Sequence, residues 1–220
     1  MRSLPVIIVV LFSFIITSCG TTGVEEPSYK SLVQDKKFEI REYAPRIIAQ
    51  TTVNGTQKSA SNKAFRILAD YIFGNNTSQS NIDTTTPATQ SKPAENSSEK
   101  IAMTAPVTQY KNPESSETAS TDSEWIVQFT IPAEFTIDTL PKPNNPAVEI
   151  VQLPPLSYAV LKFSGRVNES LIAQKTTELE SIISERKLQI EGEIVLAQYN
   201  PPWILGPFRR NELLMPLAPL

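Results

Sequence analysis

The feature that most constrains the fold of this chain is an internal repeat. The stretch Glu39-Ile-Arg-Glu-Tyr-Ala-Pro-Arg-Ile-Ile-Ala-Gln-Thr-Thr-Val-Asn-Gly55 aligns without a gap on Glu149-Ile-Val-Gln-Leu-Pro-Pro-Leu-Ser-Tyr-Ala-Val-Leu-Lys-Phe-Ser-Gly165, at an offset of 110 residues. Glu, Ile, Pro, Ala and Gly coincide at five of the seventeen positions. Each copy holds β-rich residues on both sides of a proline and ends at a glycine, which predicts two strands and then a turn. A helical pattern follows each copy. In the first, Ala60, Ala64, Phe65, Leu68 and Ile72 recur at helical spacing and Gly74 supplies the stop. In the second, Asn168 can cap a helix whose stripe is Leu171, Ile172, Leu179, Ile182 and Ile183. Two more strand-like runs come after each helix, Lys100 to Tyr110 with Trp125 to Ile131, and Leu188 to Tyr199 with Glu212 to Leu217. The order strand, strand, helix, strand, strand is thus written twice. It predicts an α+β domain of two pseudo-equivalent halves, with roughly eight strands and two main helices around one core.

Two segments interrupt the plan, 75–99 and 111–124, both rich in Ser, Thr, Asn and Glu, with Ile82 their only large apolar residue. They hold too little apolar surface to offset the entropy of ordering, which predicts two mobile surface inserts. At the other end of the chain, Arg2 and the apolar run Leu4 to Ile16 read as a secretory signal covering residues 1–18, too short for an ordinary membrane-spanning helix. Ile16-Thr-Ser-Cys19 resembles the bacterial lipoprotein box, in which the cysteine is acylated after cleavage, palmitate being the kind of chain attached. The alternative is an ordinary signal peptide with a chance cysteine. On the lipoprotein reading the mature chain is anchored to the cell envelope, in the outer membrane where the host has one, by residues 19–28 as a tether to a single domain over 29–217. Cys19 is the only cysteine, so an exported chain forms no internal disulfide and rests on its core.

What chemistry is open to such a chain is bounded by what it lacks. There is no histidine, which removes Ser-His-Asp triads, histidine general bases, histidine zinc sites and a histidine-ligated haem iron together. Acylation of Cys19 would remove the only thiol as well. No Gly-rich phosphate loop is present, and Glu178, Glu180 and Glu185 interleave with the second helical stripe as a solvated face does. With 20 Lys and Arg against 23 Asp and Glu, and no basic cluster larger than a pair, nucleic acid is a poor partner. The unusual element is the loop Gln198 to Glu212, "QYNPPWILGPFRRNE". Pro201 and Pro202 fix φ and withhold two backbone donors, so it is a stiff loop, not a helix or a central strand. Trp203 and Phe208 beside Arg209 and Arg210 suit a flat, anionic, largely apolar ligand, or a well-packed turn.

"FEIREYAP", "AFRILADYIFG", "EKIAMTAPV", "TLPKPNNP" and "YNPPWILGPFRRNE" resemble the SOUL haem-binding protein family, in the family's order, over about Tyr29 to Leu217. The resemblance implies a distorted eight-stranded barrel of two ββαββ halves, similar to the GyrI-like fold, and non-covalent binding of haem or another tetrapyrrole. It places the ligand in a shallow apolar groove between the first helix and the loop before the last strand. Lys63 and Arg66 would be cationic partners from the helix and Phe65 and Ala69 its floor, although Phe65, Leu68 and Ile72 are equally read as core. From the loop come Tyr199, Pro202 and Trp203 as a wall, with Arg209 or Arg210 neutralising a propionate; the alternative for the arginines is an ion pair with Glu212 or a solvated rim. Without histidine, an iron ligand would have to come from Met103, Met215, a tyrosine, a lysine or water, and Met103 is the weak candidate. Two rival functions remain: an interaction module that kept the fold without the ligand, and a small-molecule hydrolase of GyrI-like type, which an inward-facing pair of carboxylates would favour.

Overall fold

The computed structural model describes residues 23–79, 97–115 and 123–219. In chain order the elements are β1 (Tyr29–Asp35), β2 (Phe38–Tyr43), β3 (Arg46–Gly55), α1 (Gln57–Ile72), β4 (Asn76–Thr77), β5 (Val107–Lys111), β6 (Ser123–Thr130), β7 (Lys142–Pro143), β8 (Glu149–Leu153), β9 (Leu156–Phe163), α2 (Glu169–Glu185), β10 (Val195–Gln198) and β11 (Asn211–Leu217). The predicted capping holds for α2, where the Asn168 side chain accepts from the Leu171 N–H. Thr56 does the same for α1 through Ser59 N–H. Gly55 and Gly165, which close the two copies of the repeat, have φ of 142° and 122°, a region that L side chains rarely adopt. That conformation lets each chain turn at once from strand into helix cap.

Nine strands form one antiparallel sheet in the order β1-β2-β9-β11-β10-β5-β6-β3-β8, and β4 pairs with β7 apart from it. Exchanging β2 with β8, β3 with β9, β5 with β10 and β6 with β11 reverses the order of the eight repeat strands, which puts a two-fold axis between β5 and β10. The register obeys the same offset: Arg46 faces Leu153 while Leu156, 110 residues on, faces Tyr43. The two strands flanking each proline turn do not pair with each other. β2 pairs with β9 and β3 with β8, so each half completes the other. The sheet is open, not the eight-stranded barrel expected, because β1 adds a ninth strand beyond β2 and the outer strands β1 and β8 do not meet.

The expected single core is three clusters. α1 packs on β3 and β6, burying Ala60, Ala64, Leu68, Tyr71 and Ile72 against Ala49, Val127 and Phe129. α2 packs on β9 and β11, with Leu179 and Ile183 over Leu161 and Leu213. Tyr43, Tyr158, Val160, Ala197 and Leu214 form the third, on the alternate positions of their strands. That reverse face of the sheet, away from the helices, is buried as well.

Much of each insert lies outside the described residues, as does Cys19 with the signal segment. Their described ends belong to the body. Asn76 is buried, donates to the carbonyls of Tyr71 and Glu99 and accepts from the Glu99 N–H, while Thr77 pairs with Lys142 in β7. Gln79 donates to the Leu140 carbonyl at 2.5 Å. The described backbone runs to 79 and resumes at 97. In the second insert, Lys111 ends β5 and Ser123 begins β6.

Candidate functional site

The loop from Tyr199 to Arg210 presents its apolar groups outward: Trp203 is 78 % exposed, Phe208 75 % and Leu205 62 %. Exposure of three large apolar side chains on one short loop is unusual for a packed turn. The loop is nevertheless braced. Arg209 donates from Nε to the Ile204 carbonyl at 2.7 Å and from its guanidinium to the Pro202 carbonyl. Asn200 Oδ1 accepts from the Arg210 N–H, and a single 3₁₀ turn, Gly206 to Phe208, rests on the Gly165 N–H through the Gly206 carbonyl. Beside this turn lies a wide shallow cleft of about 570 Å³, lined by Ser164, Gly165, Arg166, Leu205, Gly206 and Pro207. That volume falls in the range of ligand pockets, ~300–1,000 Å³.

On α1 Phe65, Ala69 and Phe73 are spaced by four so that they share a helix face. Phe65 is 39 % and Phe73 59 % exposed, and Ala69 is the buried residue between them. Phe65 thus belongs to the surface, although its ring meets Phe129 of the core at 5.5 Å. Lys63 and Arg66 are exposed and make no ion pair among the described residues. Phe129 faces Val107, and Val107 faces Gln198, the residue before the loop. Three adjacent strands, β6, β5 and β10, thus lie between Phe129 under Phe65 and Gln198 before the loop, whose backbones are about 10 Å apart across two strand spacings. Arg166, at the start of the other helix, is the cation nearest the loop that sequence reasoning missed. Only the register of the repeat, which places Gly165 beside the loop, could have found it.

The arginines expected to face a propionate are engaged otherwise. Arg209 braces the loop as described. Arg210 pairs with Glu26 at 2.9 Å and with Glu212 at 3.1 Å and lies 3.6 Å over the Tyr199 ring. Tyr199 in turn donates to Glu212 at 2.7 Å and so faces the reverse side of the sheet. Met215 is buried in the α2 core, and Met103 is half-buried against the α1 core.

The reverse face holds a charge network of which sequence reasoning offered one bond, the alternative pairing of an arginine with Glu212 that Arg210 makes. Arg41, fully buried, donates to Glu212 at 2.7 and 3.1 Å, to Glu39 at 2.6 Å and to the Tyr43 hydroxyl at 3.0 Å. Lys162 pairs with Glu39 from the other side. Three carboxylates, Glu26, Glu39 and Glu212, thus meet three cations, Arg41, Lys162 and Arg210. Burial alone would raise the carboxyl of Glu212, but its bonds to Arg41 and the nearby Arg210 outweigh this and hold it below the usual range. Glu39 is likewise lowered, burial being outweighed by Lys162 and Arg41. Burial pushes the Tyr43 phenol up to about 12 and Tyr199 well above its ordinary value, where Glu212 adds to the shift. An inward pair of carboxylates does exist, then, but both are ionised and bound by cations. The signal was the alternation Phe38, Glu39, Ile40, Arg41, which reads as a solvated strand face until the second face is known to be covered.

Comparison with known proteins assigns this arrangement. The model of the SOUL heme-binding protein family matches residues 24–97 and 92–216, most of the chain. The chain belongs to the SOUL family. The SOUL domain is also similar to solved structures at low identity, which bears on fold alone. It matches the C-terminal domain of EcmrR with a TM-score of 0.56 at 10% identity, covering 87% of this chain and 99% of that one. It matches a hydrolase from Listeria innocua with a TM-score of 0.53 at 10% identity, covering 85% and 94%. No curated protein matches the chain. The SOUL assignment therefore rests on the family model and on the five motifs.

Proposed function

We propose that this SOUL protein binds haem or another tetrapyrrole against the loop Tyr199 to Arg210, without a histidine ligand, while tethered to the cell envelope through Cys19. The observation that carries the reading is the exposure of Trp203, Leu205 and Phe208 on a loop stiffened by two prolines and Arg209. A flat apolar macrocycle recovers the hydrophobic free energy of those side chains, at about 25 cal/mol per Å² covered, while a braced loop loses little entropy on binding. Propionates need cations free of internal partners: Lys63 and Arg66 on the α1 side, Arg166 on the other. Phe65, Ala69 and Phe73 extend the apolar surface. When bound, haem would supply redox or ligand-binding chemistry at its iron; the chain supplies apolar contact and propionate pairing, and Met215, buried in the α2 core, supplies no axial bond. Hydrolysis has little support here, because Glu39 and Glu212 are both spent on Arg41.

Haem should quench Trp203 fluorescence in a Trp125→Phe background, and free-base and iron porphyrins should bind with similar affinity. Trp203→Ala should weaken both by roughly 1–3 kcal/mol, the stacking contribution plus lost burial. Absence of quenching at micromolar porphyrin would sink the proposal and leave the protein-interaction module as the better reading. Iron binding far more tightly than free base would show an axial ligand that the geometry does not offer.

A further inference from the structure

On the reverse face of the sheet, Arg46 has no carboxylate partner among the described residues. Arg46, at the start of β3, has a buried Nη1 with no hydrogen-bond partner, and its Nη2 reaches only the Tyr158 hydroxyl at a long 3.4 Å. Its guanidinium lies 5.0 Å from the Tyr43 ring centroid and 5.9 Å from that of Tyr158. Every cation of the neighbouring network, Arg41, Lys162 and Arg210, has its acid. A buried guanidinium nitrogen without an acceptor carries an uncompensated loss of hydration. Nor does the fold require a cation in that seat. The two-fold offset puts Leu156 at the equivalent position of the other half, paired with Tyr43 as Arg46 is paired with Leu153.

Arg46 lines a cleft separate from the loop. It is lined by the rings of Tyr43 and Tyr158 and the aliphatic side chains of Ile48, Val195 and Leu214, together with Pro27, Pro106 and the polar side chains of Thr108, Gln128 and Thr130. The space inside is about 40 Å³, where one water needs roughly 10–15 Å³. That admits a small head group and leaves the rest of a ligand at the mouth. Arg46 is the only cation in the lining, and no acid is there to repel an anion.

We propose that this cleft is a second binding site, which takes the carboxylate of a small apolar monocarboxylic acid on the Arg46 guanidinium. A planar carboxylate presents two acceptor oxygens to the fork of Nη1 and Nη2, in the bidentate geometry guanidinium favours. One cation sets the charge at one. The aromatic and branched aliphatic side chains favour an apolar body next to the head, and a single cation suits a monoanion better than a dianion such as phosphate. The site does not depend on the tetrapyrrole reading, since it shares no lining residue with the loop.

The probe is sodium benzoate, titrated into the full chain in detergent and followed by the methyl NMR signals of Ile48, Val195 and Leu214, with exposed Ile137 as the remote control. Saturable shifts at the three cleft methyls and none at Ile137 are expected. Benzamide, equal in shape and uncharged, should bind about tenfold more weakly or worse, and Arg46→Met should cost benzoate a similar factor. Val195→Trp, which fills the cleft and leaves Arg46 in place, should abolish the shifts, and serves should Arg46→Met fail to fold. Trp203→Ala should leave benzoate binding unchanged, which separates this site from the loop. No saturable shift at millimolar benzoate, equal response to benzamide, or indifference to both cleft variants would each overturn the proposal and leave Arg46 solvated by water.

Discussion

Replacing Arg41 by Met tests whether the reverse-face network is a dry, mutually dependent unit. Arg41 is fully buried and satisfies two carboxylates, Glu39 and Glu212, that are themselves almost wholly buried. Methionine fills similar length but leaves Glu212 with Arg210 as its one cation, beside the Tyr199 hydroxyl, and Glu39 with Lys162 alone. Breaking a buried pair by removing one partner costs about 3–5 kcal/mol, because a buried charge is left uncompensated. For a domain of this size that corresponds to a fall of roughly 6–20 °C in Tm. The pH dependence has a definite sign. In the parent, Glu39 and Glu212 have folded-state pKa values below their unfolded ones, so their stabilisation is present above the ordinary carboxylate range and is lost as pH falls through the depressed values. In Arg41→Met burial is no longer outweighed, and the Glu212 carboxyl rises. Its penalty is felt at neutral pH and relieved on protonation, so the difference between variant and parent should be largest near pH 7 and shrink toward pH 4. Adding Glu212→Gln to Arg41→Met should recover a large part of the loss. Urea melts of the three proteins across that pH range supply the measurement. A loss under about 1 kcal/mol that does not vary with pH would show a network solvated like a surface ion pair, and would refute the argument.

Joining Gln79 to Ser97 through a short linker should leave Tm within a few degrees, since halving a loop changes closure entropy by only about 0.6 kcal/mol. Removing the whole of 75–99 should instead cost a few kcal/mol by thermal melt, because it takes away the buried Asn76 and its three bonds to Tyr71 and Glu99. Arg209→Ala should weaken esterified and free-acid porphyrins alike, as expected of a loop brace; a loss confined to free acids would mean that Arg209 turns outward to a propionate. Arg166→Ala and the pair Lys63→Ala/Arg66→Ala should affect free acids alone, and whichever has the larger effect in a porphyrin titration marks the flank that holds the propionates. Mass spectrometry of native membranes should find the mature chain beginning at an acylated Cys19, an outcome that an unmodified secreted start elsewhere would exclude.

What the repeat made legible was local: the strands on either side of Pro45 and Pro155, the helix stripes, the Asn168 cap and the glycine turns at 55 and 165. Each depends on residues within a few positions of one another. Pairing does not. Nothing within Glu39 to Gly55 says that β2 will pair with β9 rather than with β3, because the partner strand lies over a hundred residues away and the choice is made by burial of both faces. The same non-locality hid the candidate sites. Arg41 sits in "FEIREY" as an apparently exposed strand charge, and becomes buried only because Tyr29, on the added strand β1, covers it with its ring at 4.3 Å while β11 supplies Glu212. Arg46, which is only half-buried, differs from Arg41 in its neighbours. It lies on the same reverse face, but the groups around it are Leu153, Thr130 and the rings of Tyr43 and Tyr158 rather than acids. Two arginines five residues apart thus take different roles, one closing a structural network and the other left open. The difference is set by the neighbours that the two-fold exchange of strands brings to each.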